Sequence, residues 1–339
     1  MTKSAMKVGV IFVLLCLTSG GILAFETYRY LHSPITHLQV PPSKLITIPK
    51  GAGFNQIVQI LAEHGVLDQP NRFRLLAYFR DLMFELKAGE YEVQTSWTPN
   101  QMLDHLVEGR SQLYKVTIPE GLTFEETAER FEQAGIGKKE NFLLLKDNLS
   151  LREMLDITPV VASLEGFLFP ETYFFTRNDT EMAILTAMIQ QFNQNYPDEY
   201  RRKAAEYRMT DYEVVTLASI VEKETGRDQD RPLISAVFHN RLKRKMRLES
   251  DPTVIYGIDN FDGNLTRKHL KTPHPYNTYR NFGLPPGPIC NPGKASIQST
   301  LYPEKVSFLY FVSRGDGTSY FSSDLKTHNK AVRRYQKKQ

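Results

Sequence analysis

The chain has 339 residues and a mass of 39.0 kDa, more than one domain usually contains, so about two folded units are expected. Its composition, 41% hydrophobic and 24% charged, excludes wholesale disorder, a collagen-like repeat and a polytopic membrane protein. The net charge of +4 is too small to predict a nucleic-acid partner, because such proteins carry a strongly basic face.

The two cysteines do not indicate a disulfide or a metal site. Cys16 lies in an apolar run, whereas Cys290 lies far away in a loop rich in proline and glycine. No intramolecular disulfide framework is therefore expected. The chain also contains neither a CxxC pair nor an HExxH motif, so zinc is not predicted.

The N-terminal segment predicts a membrane anchor. From Val8 to Phe25, 18 consecutive residues carry no charge, which is about the shortest stretch that spans a bilayer as a helix. Lys3 and Lys7 precede it, so the positive-inside rule predicts a cytoplasmic N-terminus over residues 1–7, a transmembrane helix over 8–27 and export of the remainder. A cleaved signal peptide is the alternative, and Ile22 at the −3 position before Ala24 argues against it.

Two copies of one local pattern follow the anchor. Residues 28–43 are predicted to be a linker because they contain several prolines. After it, an apolar run, Pro49-Lys50-Gly51 and an amphipathic stretch ending at Gly65 predict a strand, a turn and a helix. The same order recurs at Pro119-Glu120-Gly121 and ends at Gly135, and a further strand and helix are predicted between the copies. These small units are similar to a LysM-like glycan-binding fold, which we predict for residues 44–114.

A larger α+β domain is predicted over residues 115–339. Its apolar periodicity indicates helices at 124–134, 138–147, 180–206, 211–225 and 230–246, and short apolar runs indicate strands at 253–256 and 307–313. The proline-rich stretch 271–293 is expected to be neither a helix nor a central strand. Long irregular loops in compact domains are often functional.

The helix predicted at 211–225 carries two candidate acids. It begins with a capping box at Thr210 and ends before Gly226. Its apolar residues form one buried stripe, with Glu222 and Glu224 flanking the stripe on opposite sides. A partly desolvated carboxyl group can act as a proton donor near neutral pH, although spacing alone favours a solvated last turn for both residues. Periodicity does not decide between them.

Other polar residues are candidates for a functional site because of the segments in which they lie. Glu165 and Glu171 belong to an aromatic, proline-containing stretch, and Asp251 is either a helix cap or a catalytic group. Asn240 lies on the predicted 230–246 helix. The segment Tyr276-Asn277-Thr278-Tyr279 offers aromatic faces and amide groups suited to binding sugars, and a structural turn is an equal alternative.

Six motifs occur along the chain in the order Glu165–Tyr173, Leu217–Thr225, Phe238–Leu242, Ser250–Thr253, Pro275–Tyr279 and Gly283–Gly293. Together they resemble the YceG-like family of endolytic murein transglycosylases, and the resemblance covers essentially the whole chain. In two places the sequence departs from the family pattern, with His274 where a serine often stands and Thr327 where a glutamate is usual before His328.

The resemblance implies a reaction and a catalytic residue. Within the Val-Glu-Lys-Glu motif it implies that the first glutamate, Glu222, is catalytic, and desolvation by Val215 and Ala218 is expected to keep Glu222 protonated. The implied reaction cleaves β-1,4 bonds between N-acetylmuramic acid and N-acetylglucosamine in nascent glycan strands and leaves 1,6-anhydro ends, which terminates strand elongation. It requires no metal or organic cofactor. The low-priority substrate-binding candidates are Tyr276, Asn277, Thr278, Glu171, Asp251 and Asn240.

The resemblance also implies partners and a location. The substrate is peptidoglycan, the implied partners are the penicillin-binding synthases, and the catalytic domain is periplasmic on a single-pass inner-membrane anchor. Two alternatives remain open. One is a non-catalytic peptidoglycan-binding scaffold, and the other is a hydrolase that uses Asp251 or Glu171 as a second carboxylate.

Overall fold

The structure is a computed structural model and describes residues 3–36, 41–157 and 161–336. It divides into two compact units. The first comprises the chain up to Tyr114 together with Thr176–Asn178, and the second comprises the remaining residues. The architecture is mixed α+β, as predicted, and the described strands pair two by two in three small sheets.

The first unit combines a long apolar helix with a small packed module. Its elements are α1 (Lys3–His32), β1 (Ser43–Ile48), α2 (Phe54–Glu63), α3 (Pro70–Phe79), β2 (Gly89–Gln94) and α4 (Pro99–Glu108). The strands β1 and β2 pair antiparallel, with Ile46 opposite Tyr91. The module encloses its own apolar core, which includes Ile57, Phe73 and Leu103.

Helix α1 contains a segment, Ile11–His32, that is long and apolar enough to cross a membrane. The helix continues through residues 28–32, which the sequence assigned to the linker, because the first proline that can end it is Pro34. Residues 37–40 of the predicted linker lie outside the described residues.

The second unit contains α5 to α15 and β3 to β6. Its elements are β3 (Tyr114–Thr117), α5 (Phe124–Gln133), α6 (Lys139–Leu144), α7 (Leu149–Glu153), β4 (Thr172–Phe175), α8 (Glu181–Asn195), α9 (Asp198–Glu206), α10 (Asp211–Glu224), α11 (Arg231–Lys243), α12 (Asp251–Tyr256), α13 (Arg267–Lys271), α14 (Lys294–Leu301), β5 (Tyr310–Ser313), β6 (Ser319–Ser322) and α15 (Leu325–Tyr335). Strand β3 begins at the last residue of the first unit.

The repeated pattern is present as predicted. In both copies the strand leads through the Pro-x-Gly turn into a helix, β1 to α2 and β3 to α5. Gly51 and Gly121 have φ values of +79° and +81°, and the stop glycines Gly65 and Gly135 have φ values of +71° and +72°. These left-handed conformations explain why glycine recurs at the same points of both copies.

Two local predictions are wrong. Residues 253–256 lie in helix α12 rather than in a strand, because Asp251-Pro252 starts a helix with proline in its first turn. The single helix predicted over 180–206 is divided into α8 and α9 at Pro197, which lacks the amide hydrogen needed to continue the first helix.

Helix α10 is the central element of the second unit. All residues from Val214 to Val221 are buried. The proline-rich loop packs against it, because the Ser219 hydroxyl accepts a hydrogen bond from the Ile289 amide at 3.0 Å. Asn291 in turn accepts from the Leu168 amide at 3.0 Å and donates to the Leu122 carbonyl at 3.0 Å. Three segments that are distant in sequence therefore meet beside the last turn of α10.

Candidate active site

The last turn of α10 presents two glutamates to two different environments. Glu222 and Glu224 are two residues apart, which corresponds to about 200° around a helix, so their side chains point to opposite sides. The helix begins at a complete capping box formed by Thr210 and Glu213, and it ends at Glu224. Both side chains therefore project from the last turn of the helix.

Glu222 is tied into a buried ion pair. Its Oε1 lies 3.4 Å from Nη2 of Arg231, and its Oε2 accepts a hydrogen bond from the Gly293 amide at 3.0 Å. Its side chain is only 7% exposed and that of Arg231 only 6%. The expectation that Val215 and Ala218 keep Glu222 protonated stays a prediction.

Further charged groups extend this network. Arg231 donates from Nε to the Ser296 hydroxyl at 3.1 Å, lies 3.7 Å from a carboxylate oxygen of Glu120, and pairs with Asp228. Burial, together with the negative charge of Glu222, raises the pKa of Glu120. The network connects the second Pro-x-Gly turn to the start of α14.

Glu224 has different surroundings. Its Oε1 accepts a hydrogen bond from the Ser250 hydroxyl at 2.6 Å. Burial raises the pKa of Glu224 to about 7, and the charge of the nearby Asp251 acts in the same direction. The group is therefore close to half protonated at neutral pH, which is the condition that suits a general acid.

Glu224 also lines a cavity of about 490 Å³, a size typical of sites for small ligands. The wall contains acidic, hydroxyl and aromatic groups, which come from α10, α12, the proline-rich loop, β5, β6 and α15. Those used in the argument below are Asp251, Tyr279, Phe311, Ser313, Ser319 and His328.

Of the sequence-predicted substrate residues, the structure brings Asp251 beside Glu224. Asp251 is exposed on the cavity wall, and its Oδ1 accepts a hydrogen bond from the Tyr279 hydroxyl at 2.7 Å. Thr278 is buried just behind, where its hydroxyl accepts from the Ser250 amide at 3.0 Å. Thr278 thus holds the segment that carries Ser250 and Asp251, and its role is to position them.

The other predicted residues lie elsewhere. Asn277 is buried and donates to the Thr272 carbonyl at 2.7 Å, and Asn240 donates to the carbonyls of Val306 and Phe308, both at 2.9 Å. Exposed Glu171 accepts from the amide of Thr172 at 2.9 Å. These three side chains hold backbone segments and do not line the cavity beside Glu224.

Tyr276 lines a second cavity of about 830 Å³ on the other side of α12. Its ring packs against Tyr256 with 4.8 Å between ring centroids. Buried Glu165 lies in the same wall, where Lys146 at 3.2 Å, the Tyr256 hydroxyl at 3.1 Å and the Phe124 amide at 2.8 Å satisfy its carboxyl group.

Sequence reasoning missed His328 in the cavity beside Glu224 and the Ser250 hydroxyl behind its wall, and it named Tyr279 only together with Tyr276, Asn277 and Thr278. The Nδ1 of His328 is buried and has no hydrogen-bond partner among the described residues. His328 stacks on Tyr310 with 5.1 Å between ring centroids, and burial lowers its pKa, so it is neutral at pH 7. All three residues fall within or next to motifs that the sequence had singled out, but only the fold shows which side chains point into the cavity.

Within residues 3–36, 41–157 and 161–336, no group of three or more His, Cys, Asp or Glu side chains has the arrangement of a metal site.

The sequence matches the YceG-like family over residues 46–334, which is most of the chain. The chain belongs to the YceG-like family. Similarity to characterised relatives supports the same assignment. A protein of Bacillus subtilis (strain 168) named endolytic murein transglycosylase is 32% identical over 86% of this chain and 84% of its own length.

Two further similarities agree with this membership. A Streptococcus pneumoniae (serotype 2, strain D39 / NCTC 7466) protein of the same name is 29% identical over 94% of this chain, which spans 63% of that longer relative. The crystal structure of a yceG-like protein from Listeria monocytogenes is 33% identical, with a TM-score of 0.58 over 85% of this chain and 98% of that one. The YceG-like fold and the enzyme family therefore rest on sequence and structure together.

Proposed function

We propose that this YceG-like chain is an endolytic lytic transglycosylase acting on peptidoglycan. It cleaves the β-1,4 bond between N-acetylmuramic acid and N-acetylglucosamine within glycan strands and forms a 1,6-anhydro end. The names of the similar proteins from B. subtilis and S. pneumoniae support this activity.

The observation that carries the mechanism is the carboxyl group of Glu224 on the wall of the 490 Å³ cavity, with its pKa raised to about 7. A lytic transglycosylase needs one group that first donates and then accepts a proton, because the substrate's own hydroxyl replaces water as the nucleophile. A group with a pKa near the working pH does both efficiently. We therefore assign this role to Glu224.

The reaction then proceeds without a second carboxylate. Protonated Glu224 donates its proton to the glycosidic oxygen, the bond from C1 of N-acetylmuramic acid to that oxygen breaks, and the N-acetylglucosamine end leaves as an alcohol. The C6 hydroxyl oxygen of N-acetylmuramic acid bonds to C1, and its proton passes to the Glu224 carboxylate. The enzyme returns to its starting state, and no water is consumed.

The cavity supplies the contacts that a sugar requires. Phe311 offers an aromatic face, and Ser313, Ser319 and His328 offer hydrogen-bonding groups. Sugar sites commonly combine an apolar ring contact with a few placed polar groups. These residues are our candidates for substrate contacts in the second unit.

Glu222, the residue implied by the sequence resemblance, is the competing candidate for the acid. Its carboxyl group is held by the ion pair with Arg231 and by the hydrogen bond from Gly293, whereas that of Glu224 lines the 490 Å³ cavity. The two assignments make opposite predictions for two matched substitutions, E222Q and E224Q.

Two further parts of the proposal concern location and binding. Helix α1 has the length and composition of a single-pass membrane anchor, and we propose that it holds the catalytic unit on the periplasmic side of the inner membrane, with the N-terminus in the cytoplasm. We propose that residues 44–114 form a LysM-like module that binds glycan. Action beside the penicillin-binding synthases, on nascent strands, follows from the same resemblance.

A muramidase is the second candidate function, because Asp251 lies on the same cavity wall as Glu224. In that reaction Asp251 would act as the second carboxylate and water would attack, giving a reducing end. The hydrogen bond from Tyr279 to Asp251 leaves only part of the carboxylate free for this role. Glu171 does not line this cavity.

One experiment separates these proposals. Purified glycan strands are incubated with the full-length wild-type protein, E224Q and E222Q, and the ends produced are identified by mass spectrometry. We expect anhydro ends from the wild type, loss of cleavage in E224Q and cleavage retained in E222Q. Reducing ends would support the muramidase, and cleavage by E224Q together with inactivity of folded E222Q would return the acid to Glu222. Glycan binding without any new ends would indicate a scaffold.

A further inference from the structure

An apolar patch lies on the first unit, on one face of α3 and in the loop after it. Phe84 is 93% exposed, Phe79 81%, Tyr78 66% and Leu75 56%. The opposite face of α3 carries buried Phe73 and Ala77, so α3 is apolar on both sides. Four large apolar side chains exposed within ten residues are unusual, because water-facing patches of this kind usually mark a contact surface.

The patch lies close to the end of the apolar helix α1. The Asp68 amide donates to the Ile35 carbonyl at 3.3 Å, just before α3 begins. Arg72 in the first turn of α3 lies 3.6 Å from Glu26 of α1, and its guanidinium is 5.7 Å from the centroid of the Tyr30 ring. The first turn of α3 therefore packs beside the C-terminal end of α1, after the uncharged run that ends at Phe25.

The dimensions place the patch within reach of a bilayer surface. At 1.5 Å per residue, Phe79 lies about 10 Å along α3 from Arg72, and the headgroup layer on each side of the hydrocarbon core is roughly 5–8 Å thick. Aromatic residues such as Phe79 and Tyr78 are well suited to this layer. Arg80 at the end of the helix pairs with Asp104 at 2.8 Å, so the proposed membrane contact depends on the apolar side chains.

We infer that Leu75, Tyr78, Phe79 and Phe84 insert into the interfacial layer of the bilayer that α1 spans. The patch binds lipid rather than protein, because α1 holds it beside the membrane. The local concentration of lipid is therefore high, and binding requires no further loss of translational freedom. The inference rests on the proposed anchor role of α1 and is independent of the glycan chemistry. It gives the first unit a second point of attachment to the membrane.

The test places a fluorophore at the patch. Full-length F84W is reconstituted into phosphatidylcholine and phosphatidylglycerol vesicles, with and without lipids brominated on the acyl chains, and the wild-type signal of the single native Trp97 is subtracted. The matched control is F282W, because Phe282 is 64% exposed in the second unit. We expect a blue-shifted emission from residue 84, at least twofold quenching by the brominated lipids, and neither effect at residue 282.

Two outcomes would overturn the inference. In one, residue 84 emits as a water-exposed tryptophan and is quenched by iodide as strongly as residue 282. In the other, its emission is blue-shifted but insensitive to brominated lipid, which would indicate a protein contact. Carbonate washing of the wild-type vesicles checks the anchor separately, so failure of the anchor is distinguished from failure of the patch. A triple variant, L75S/F79S/F84S, should remain bound after the wash, since α1 is unchanged.

Discussion

The Ser250 hydroxyl donates a 2.6 Å hydrogen bond to Oε1 of Glu224 and so joins the residue before α12 to the last turn of α10. This contact opposes the effect of burial, because a hydrogen bond donated to a carboxylate stabilises its charged form. The pKa of about 7 for Glu224 is therefore a balance between burial, which raises it, and Ser250, which lowers it.

The first prediction concerns the pH dependence of cleavage. Because Glu224 must be protonated to act as an acid, activity should fall as the pH rises through about 7. In S250A the opposing hydrogen bond is lost, so the pKa of Glu224 should rise. The alkaline limb of the pH profile, that is, the fall of activity at high pH, should then shift to a pH about one unit higher. The measurement is the rate of anhydro-end formation between pH 5 and 9.

The matched control is S235A. Ser235 is also fully buried, on α11, and its hydroxyl has no hydrogen-bond partner among the described residues. Its loss should leave the alkaline limb in place. A limb that moves down in S250A, or moves equally in both variants, contradicts the proposed coupling between Ser250 and Glu224.

The second prediction concerns stability and separates the two glutamates. E222Q removes one of the three carboxylates beside buried Arg231, and the two that stay, Asp228 and Glu120, are more exposed to solvent than Glu222. Removing one partner of a buried pair is strongly destabilising, and because glutamine still accepts from the Gly293 amide we expect a loss of about 2–3 kcal/mol. Urea unfolding in detergent at pH 8 measures it.

E224Q serves as the comparison in the same experiment. It retains an acceptor for Ser250 and removes a carboxyl group whose charged form is unfavourable where it lies. Its stability at pH 8 should equal or exceed that of the wild type. If E222Q is as stable as the wild type, the structural role assigned to the Arg231 pair is wrong.

The sequence predicts much of this fold because its signals are local. The two Pro-x-Gly turns and their stop glycines require left-handed backbone, and the capping box at Thr210 fixes the start of α10. The prediction of a strand at 253–256 is wrong because the apolar residues there follow a helix start at Asp251-Pro252. Local propensity is a weak guide where a proline begins a helix just before a short apolar run.

The chemistry of the site is less predictable for a physical reason. Periodicity shows that Glu222 and Glu224 flank one stripe, but the surroundings of each come from segments far away in the chain. Arg231 and Gly293 contact the first, and Ser250 contacts the second. Asn277 and Thr278 resemble sugar-binding residues in sequence, yet they are buried in contacts with backbone groups. A residue type suggests a role, and only its neighbours decide it.

The third prediction links Glu224 to stability across the pH range. Its pKa is about 7 in the folded protein and about 4.5 when unfolded, so between these values the folded state binds the extra proton. Stability should therefore fall as the pH rises through this window, by up to about 3 kcal/mol, and E224Q should remove this part of the slope. The measurement is the free energy of unfolding at pH 5, 6, 7 and 8. An E224Q slope equal to that of the wild type would contradict the raised pKa.

The fourth prediction tests the packing that brings the site loops together. Gly166 has φ of +90°, and a Cβ atom there would collide with the ring of Pro288. Gly263 has nearly the same φ, +88°, but has open space around it. The variant G263A therefore measures backbone strain alone, about 1–2 kcal/mol, whereas G166A adds the collision and should cost about 2–3 kcal/mol more.

The difference between these two variants has a functional consequence. Pro288 belongs to the loop that Ser219 holds through the Ile289 amide, so moving Pro288 should disturb the segment that carries Gly293, whose amide binds Glu222. Glu224 accepts its hydrogen bond from Ser250, which lies outside this loop, so the pH at which activity falls should be unchanged in G166A even though the protein unfolds at a lower urea concentration. An alkaline limb displaced in G166A but not in G263A would mean that the loop, and not Ser250, controls the protonation of Glu224.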